Sequence, residues 1–136
     1  HALGQTGALA GVALSLPALL RAEKLQKRAA RVGFDWPDTA GPRAKILEEL
    51  DELEAARDED RLIEAGDLLF ATVNFLRAHG IAAEDALRAA NSKFEHRFAA
   101  MEQLATAQGH AFGDLSLDEQ EALWQAVKRS EAAEAP

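Results

Sequence analysis

The stretch Leu62-Ile63-Glu64-Ala65-Gly66-Asp67-Leu68-Leu69-Phe70-Ala71-Thr72-Val73-Asn74-Phe75-Leu76 decides the fold class. Apolar side chains occupy nearly every side of a helix drawn through it. Such a helix belongs in the middle of a bundle or at a large subunit interface. Its only charges are Glu64 and Asp67, three residues apart and so on one face. Two carboxylates at that depth repel each other and are costly to desolvate, so something cationic is expected opposite them. Gly66, between them, removes a side chain and opens the backbone to close approach.

Working outward, apolar residues keep three- and four-residue spacing along the chain, and no window alternates as a strand does. Ser15 and Pro17 open a first helix that runs to about Val32 and is ended by Gly33. Phe34 to Pro42 is an ordered connection with two aromatic anchors, Phe34 and Trp36. A second helix is expected from about Pro42 to Arg57, a third from about Asp60 to His79, and a fourth from about Ala82 to Ala107. Ser116-Leu117-Asp118-Glu119 is a capping-box pattern opening a fifth helix through Lys128. Residues 1–14 are a loose lead-in or linker, 15–129 one domain, and 130–136 a fraying tail. The expected fold is all-α, a small bundle of four to five helices.

The chain has 136 residues, 48% of them hydrophobic and 28% charged, the balance of a globular domain. It contains no cysteine, which excludes disulfides, cysteine metal sites and cysteine nucleophiles. Fifteen Lys and Arg stand against 23 Asp and Glu, a formal net charge of −8 that repels polyanions. No nucleic acid is therefore expected as a partner, although a small anion bridged by cations is compatible with that field. The apolar run from Ala8 to Leu20 is too short for a membrane span, and a cytoplasmic location fits. The chain starts at His1 and is expected to be a piece of a longer protein.

The second helix supplies acids to match those of the third. Ile46, Leu47, Leu50 and Leu53 form the expected buried stripe, with Lys45, Glu48, Glu49 and Glu52 on the flank beside it and Glu49 nearest the core. Three carboxylates facing Glu64 and Asp67 make an all-oxygen site, the donor set that Mg²⁺ or Mn²⁺ takes. Glutamates on helix flanks are also commonly just solvated, and Glu49 could pair with Lys45. The fourth helix carries Asn91, Lys93 and Arg97 beside an apolar stripe of Leu87, Ala90, Phe94, Phe98 and Met101. Lys93 and Arg97 are spaced to hold an anion, or to make ordinary salt bridges with Glu95 or Glu102. Trp124 and Lys128 share a face of the fifth helix. The basic run Arg21, Lys24, Lys27, Arg28 and Arg31 faces either the acids or solvent. No P-loop, dinucleotide fingerprint or nucleophile elbow is present.

Glu48-Glu49-Leu50-Asp51-Glu52 followed by Glu64-Ala65-Gly66-Asp67 resembles the EExxE…ExxD signature of the MazG-type nucleoside triphosphate pyrophosphohydrolases. The resemblance extends over Leu16 to Lys128 and takes in Lys24 to Trp36, Gly66 to Ala71 and Ala90 to Glu95. It implies a MazG-like C-terminal domain that packs as an intertwined homodimer, from a longer two-domain chain. It implies Mg²⁺ (Mn²⁺ as substitute) held by Glu48, Glu49, Glu52, Glu64 and Asp67, and nucleoside triphosphates cleaved between the α and β phosphates. Lys45, Asn91, Lys93, Arg97, Trp124 and Lys128 match positions associated with substrate. Two departures stand out. Only 11 residues separate Glu52 from Glu64, and Ile63 stands where relatives often carry another acid.

On this resemblance, Glu48 or Glu49 is the expected general base, and Lys93 and Arg97 stabilise the leaving pyrophosphate. Phe34, Trp36 or Trp124 is expected to stack on the base. Broad base preference is the first expectation. The alternatives are a narrower dUTP, dCTP or phosphoribosyl-ATP pyrophosphatase, or a non-catalytic helical dimerisation module.

Overall fold

A computed structural model describes residues 7–134; residues 1–6 of the expected lead-in and 135–136 of the expected tail lie outside it. Every regular element among the described residues is helical, as the spacing predicts. In order they are α1 (Ala18–Arg31), α2 (Ala40–Ala55), α3 (Arg61–Ala78), α4 (Ala83–Ala107) and α5 (Leu117–Glu134). Short 3₁₀ turns at Asp58–Asp60 and Phe112–Asp114 precede α3 and α5. No helix among the described residues is long and apolar enough to cross a membrane. Two compact units divide between Ala86 and Leu87, part-way along α4.

In the first unit α3 is central, packed against both α2 and α1. The short connection from Ala56 to Asp60 returns the chain at once, so α2 and α3 form a helical hairpin. The Gln26 amide of α1 donates to the Phe70 carbonyl of α3 at 3.0 Å. Gly33 takes φ +89°, a left-handed conformation that ends α1 and turns the chain into the aromatic segment.

The buried face of α2 differs from the expected stripe. Pro42 and Glu49 are buried and Ile46 and Leu53 partly so, at helical spacing on the side toward α3, whereas Leu47 and Leu50 are 49% and 41% exposed. The helix is rotated so that Glu49, with Ile46 and Leu53, takes the inward side in place of Leu47 and Leu50. On α3 itself Ala71 and Val73 are buried, but Leu62, Ile63 and Leu69 are exposed. A β-carbon at Gly66 would meet nothing within 4 Å, so the close approach expected there does not come from this chain.

In the second unit Met101 and Ala105 of α4 pack with Leu123 and Val127 of α5, flanked by Phe98, Phe112 and Trp124. Only the C-terminal part of the expected α4 stripe is buried there; Leu87 and Phe94 are about half exposed. The capping box forms as the sequence predicts. The Ser116 amide donates to Glu119 Oε1 at 2.8 Å and the Glu119 amide to Ser116 Oγ at 3.1 Å. Ser116→Ala should therefore cost about 1 kcal/mol, measurable by urea unfolding. Residues 130–134, expected to fray, continue α5, and Glu131 there pairs with Arg97 of α4 at 2.8 Å.

Candidate metal centre and adjoining cleft

The α2–α3 hairpin brings all five predicted acids together around one residue. Ligand oxygens of Glu48, Glu49 and Glu52 lie within 4.8 Å of one another, and so do those of Glu49, Glu64 and Asp67. Glu49 belongs to both groups and is only 4% exposed, while Glu48, Glu52 and Asp67 open to solvent. Lys45 Nζ binds Glu48 Oε2 at 2.8 Å, three residues on, rather than Glu49. The salt bridge holds the Glu48 carboxyl below the usual glutamate range and raises the Lys45 ammonium.

Glu49 and Glu64 shift the other way. Burial raises Glu49 first, followed by repulsion from Glu52, with Asp67 and Glu48 adding to it. Glu64 is raised by burial, then by Glu52 and Asp67. Carboxylates whose proton affinity is lifted first by burial and then by one another are under-neutralised, and an all-oxygen donor set in that condition fits a hard divalent cation.

These directions fix the sign of a pH effect. An acid with a folded pKa above its unfolded one opposes folding when ionised; the penalty is full above the folded pKa and vanishes below the unfolded one. The chain in chelator should therefore gain melting temperature as pH falls from neutrality toward the raised values of Glu49 and Glu64. The gain should reverse at lower pH, where Asp35, lowered by Arg77, becomes protonated and the stability it contributes above its unfolded pKa is lost. Thermal melts in EDTA across that range check both limbs.

The basic run on α1 is engaged elsewhere. Lys27 pairs with Glu23 at 2.9 Å and Arg28 donates to the Ala10 carbonyl. Lys24, Lys27, Arg28 and Arg31 line a hollow of about 340 Å³ against Gly11 and Leu16.

A larger cleft of about 700 Å³ is lined by Gln26, Phe34, Trp36, Phe70, Asn74 and Arg77 among others. On α3, Asp67, Phe70 and Asn74 follow at i, i+3 and i+7, so one face of the helix leads from the acids to this cleft. The rise from Asp67 to Phe70 is about 5 Å. Phe34 and Trp36 both line this cleft. Phe70, Asn74 and Arg77 were not legible as site residues, because an apolar helix offers no local sign of which face lines a cavity.

The remaining candidates lie in the second unit. Asn91, Lys93 and Lys128 are exposed. Arg97 is mostly buried, with Nε donating to Glu131 Oε1 at 2.9 Å and the guanidinium 5.3 Å from the Trp124 ring centroid. Its partner is neither Glu95 nor Glu102. Trp124 also packs 6.2 Å from the Phe94 ring.

No family model matches the chain. Among characterised sequences, it is 48% identical over 134 residues to the nucleoside triphosphate pyrophosphohydrolase of Escherichia coli K12, covering 93% of this chain and 51% of that protein. It is 42% identical over 114 residues to the nucleoside triphosphate pyrophosphohydrolase/pyrophosphatase MazG of Thermotoga maritima, covering 83% of this chain and 45% of the other. An uncharacterized protein of Bacillus subtilis, YabN, is 40% identical over 78 residues, 57% of this chain and 16% of that protein. The chain spans about half the length of the first two relatives. With its five-acid hairpin, the chain is similar over most of its own length to relatives named nucleoside triphosphate pyrophosphohydrolase and MazG.

Proposed function

We propose that this domain hydrolyses nucleoside triphosphates between the α and β phosphates, releasing a nucleoside monophosphate and pyrophosphate, with Mg²⁺ as cofactor and broad base preference. The observation that carries this reading is Glu49, buried where the two carboxylate groups meet. The names of the relatives support the same chemistry. A cytoplasmic setting, where such nucleotides are made and used, goes with this substrate.

Glu48, Glu49, Glu52, Glu64 and Asp67 would hold the cation. A cation bound there would supply neutralisation of triphosphate and carboxylate charge and polarisation of the phosphoryl group. Water adds to the α-phosphorus, the α–β bridging P–O bond breaks, and pyrophosphate leaves with the bond's electrons. Glu48 or Glu49, whichever is not fully used in coordination, takes the water's proton as general base. Lys45 keeps the Glu48 carboxyl ionised. Lys93, Arg97 and Lys128 are assigned to the phosphates, with Asn91 and Trp124 as further substrate contacts, all by resemblance. Phe34 and Trp36 are assigned to the base, because they wall the cleft toward which the acid-bearing face of α3 runs.

A second copy of the chain is the proposed partner. Leu47 and Leu50 on α2 with Leu62, Ile63 and Leu69 on α3 leave a large apolar surface uncovered on the hairpin that carries the acids. The function is tested by incubating the chain with ATP and Mg²⁺, with and without EDTA, and resolving products. AMP and pyrophosphate only with metal supports it; ADP and phosphate would reject it. Comparable rates on the four NTPs and their deoxy forms would support broad preference, and one substrate dominating by orders of magnitude would replace it with a narrower enzyme.

A further inference from the structure

The aromatic segment after α1 contains no regular secondary structure, yet it is held at a defined place. Arg77, in the last turn of α3, donates from NH2 to Asp35 Oδ1 at 2.7 Å and from NH1 to Asp35 Oδ2 at 3.4 Å. The same guanidinium is steadied by Asn74 Oδ1, which accepts from Nε at 3.1 Å and from NH2 at 2.7 Å. Asp35 Oδ1 in turn accepts the backbone N–H of Trp36 at 2.8 Å. The contact spans 42 residues of sequence and ties the segment to α3 by a two-pronged, charge-assisted pair.

Trp36 is bounded from its other side as well. A β-carbon on Gly41, in the first turn of α2, would sit 2.6 and 2.8 Å from ring atoms Cδ2 and Cζ3 and closer still to Cε3. The ring therefore lies against α2 at a place only glycine leaves open. Latched through Asp35 and shelved on Gly41, the indole lines the cleft together with Phe34 and Phe70.

We propose that Arg77, acting through Asp35, is a positioning residue for base recognition: it sets where Trp36 stands and so the width of the slot a nucleobase enters. The proposal rests on the assignment of this cleft to the base. Stacking tolerates any base, so the width between walls, rather than hydrogen-bond pattern, sets the ratio of purine to pyrimidine rates. Arg77 makes no contact with the acids and is not assigned to the phosphates.

The test measures kcat and KM for ATP and CTP in the wild type, Arg77→Met, Asp35→Asn, Gly41→Ala and Trp36→Ala. In parallel, ¹⁹F spectra are taken of protein carrying 5-fluorotryptophan, which has only two tryptophans to resolve. Arg77→Met and Gly41→Ala should each raise KM about tenfold, narrow the ATP-to-CTP ratio, and shift the Trp36 resonance, with kcat and the Mg²⁺ requirement kept. Exchanging the pair, Asp35→Arg with Arg77→Asp, should restore KM and resonance in part, because the ion pair returns while the Trp36 N–H loses its acceptor. Should Arg77→Met unfold, Asp35→Asn and the exchange pair carry the same comparison. Unchanged KM in the latch variants while Trp36→Ala raises it would overturn the proposal and leave the base cleft standing. Unchanged KM in Trp36→Ala itself would reject the cleft assignment instead. A fall in kcat with KM and resonance unmoved would also overturn the positioning role.

Discussion

Glu49→Gln should abolish triphosphate cleavage and, in the same protein, raise the melting temperature measured in chelator. Both effects follow from one position. Glu49 is the member common to the two carboxylate groups, so its loss removes a donor from each, whereas Asp67→Ala removes a donor from one. Loss of an outer-shell partner to a metal ligand already lowers metal affinity or activity about 10- to 100-fold. Removing the shared ligand itself should exceed the upper figure. The stability change has the opposite sign because the wild-type carboxylate is buried beside Glu52, Asp67 and Glu48, and the amide is the same size without the charge. Mg²⁺ should therefore raise the melting temperature of the wild type and barely move the variant. Asp67→Ala should likewise lose activity with helicity intact. Melts with EDTA and with Mg²⁺, beside the product assay, decide the matter. A Glu49→Gln protein that melts below the wild type in EDTA would make the residue structural.

Leu69→Asp should convert the proposed homodimer to monomers. The side chain is 57% exposed in the single chain and sits on α3 with Leu62, which is 85% exposed. Because it is not part of the buried core, its replacement leaves the folded chain little changed. In a two-fold interface each substitution acts twice. Each leucine withdrawn loses about 1.5–3 kcal/mol of apolar burial, and each aspartate adds a desolvation cost. A combined loss above about 4 kcal/mol weakens the dimer by about 1,000-fold. Light scattering after size exclusion should give the wild type twice 14.7 kDa and the variant 14.7 kDa, with equal circular dichroism. A wild type that stays at 14.7 kDa at every concentration would remove the second copy as partner.

Much of this architecture is written locally. The Ser116 capping box, the stop of α1 at Gly33 and the helical spacing of Glu64 and Asp67 each depend on residues within one or two turns, and each stands where the sequence places it. The rotation of α2 does not follow from local pattern. Hydrophobic periodicity gives Ile46, Leu47, Leu50 and Leu53 as the inward stripe with Glu49 on the flank nearest the core, yet Glu49 joins Ile46 and Leu53 inside while Leu47 and Leu50 are left outside. A site that gathers charge opposes the pattern that builds a core. The Arg77–Asp35 pair was unreadable for a different reason, since contacts 42 residues apart leave no spacing signature. The same holds for Arg97, whose partner Glu131 lies in a stretch expected to fray but rich in alanine and glutamate, which favour helix.

All five carboxylates fall between Glu48 and Asp67, inside one helical hairpin with a short connection. Contacts that close over so little sequence form early when a chain folds, before distant segments have found each other. Charge repulsion is therefore met at the first step of assembly rather than the last, in the very piece of chain that would otherwise lead. A divalent cation bound at the proposed site should relieve that step, and so act on how fast the chain reaches its folded state as well as on how long it stays there.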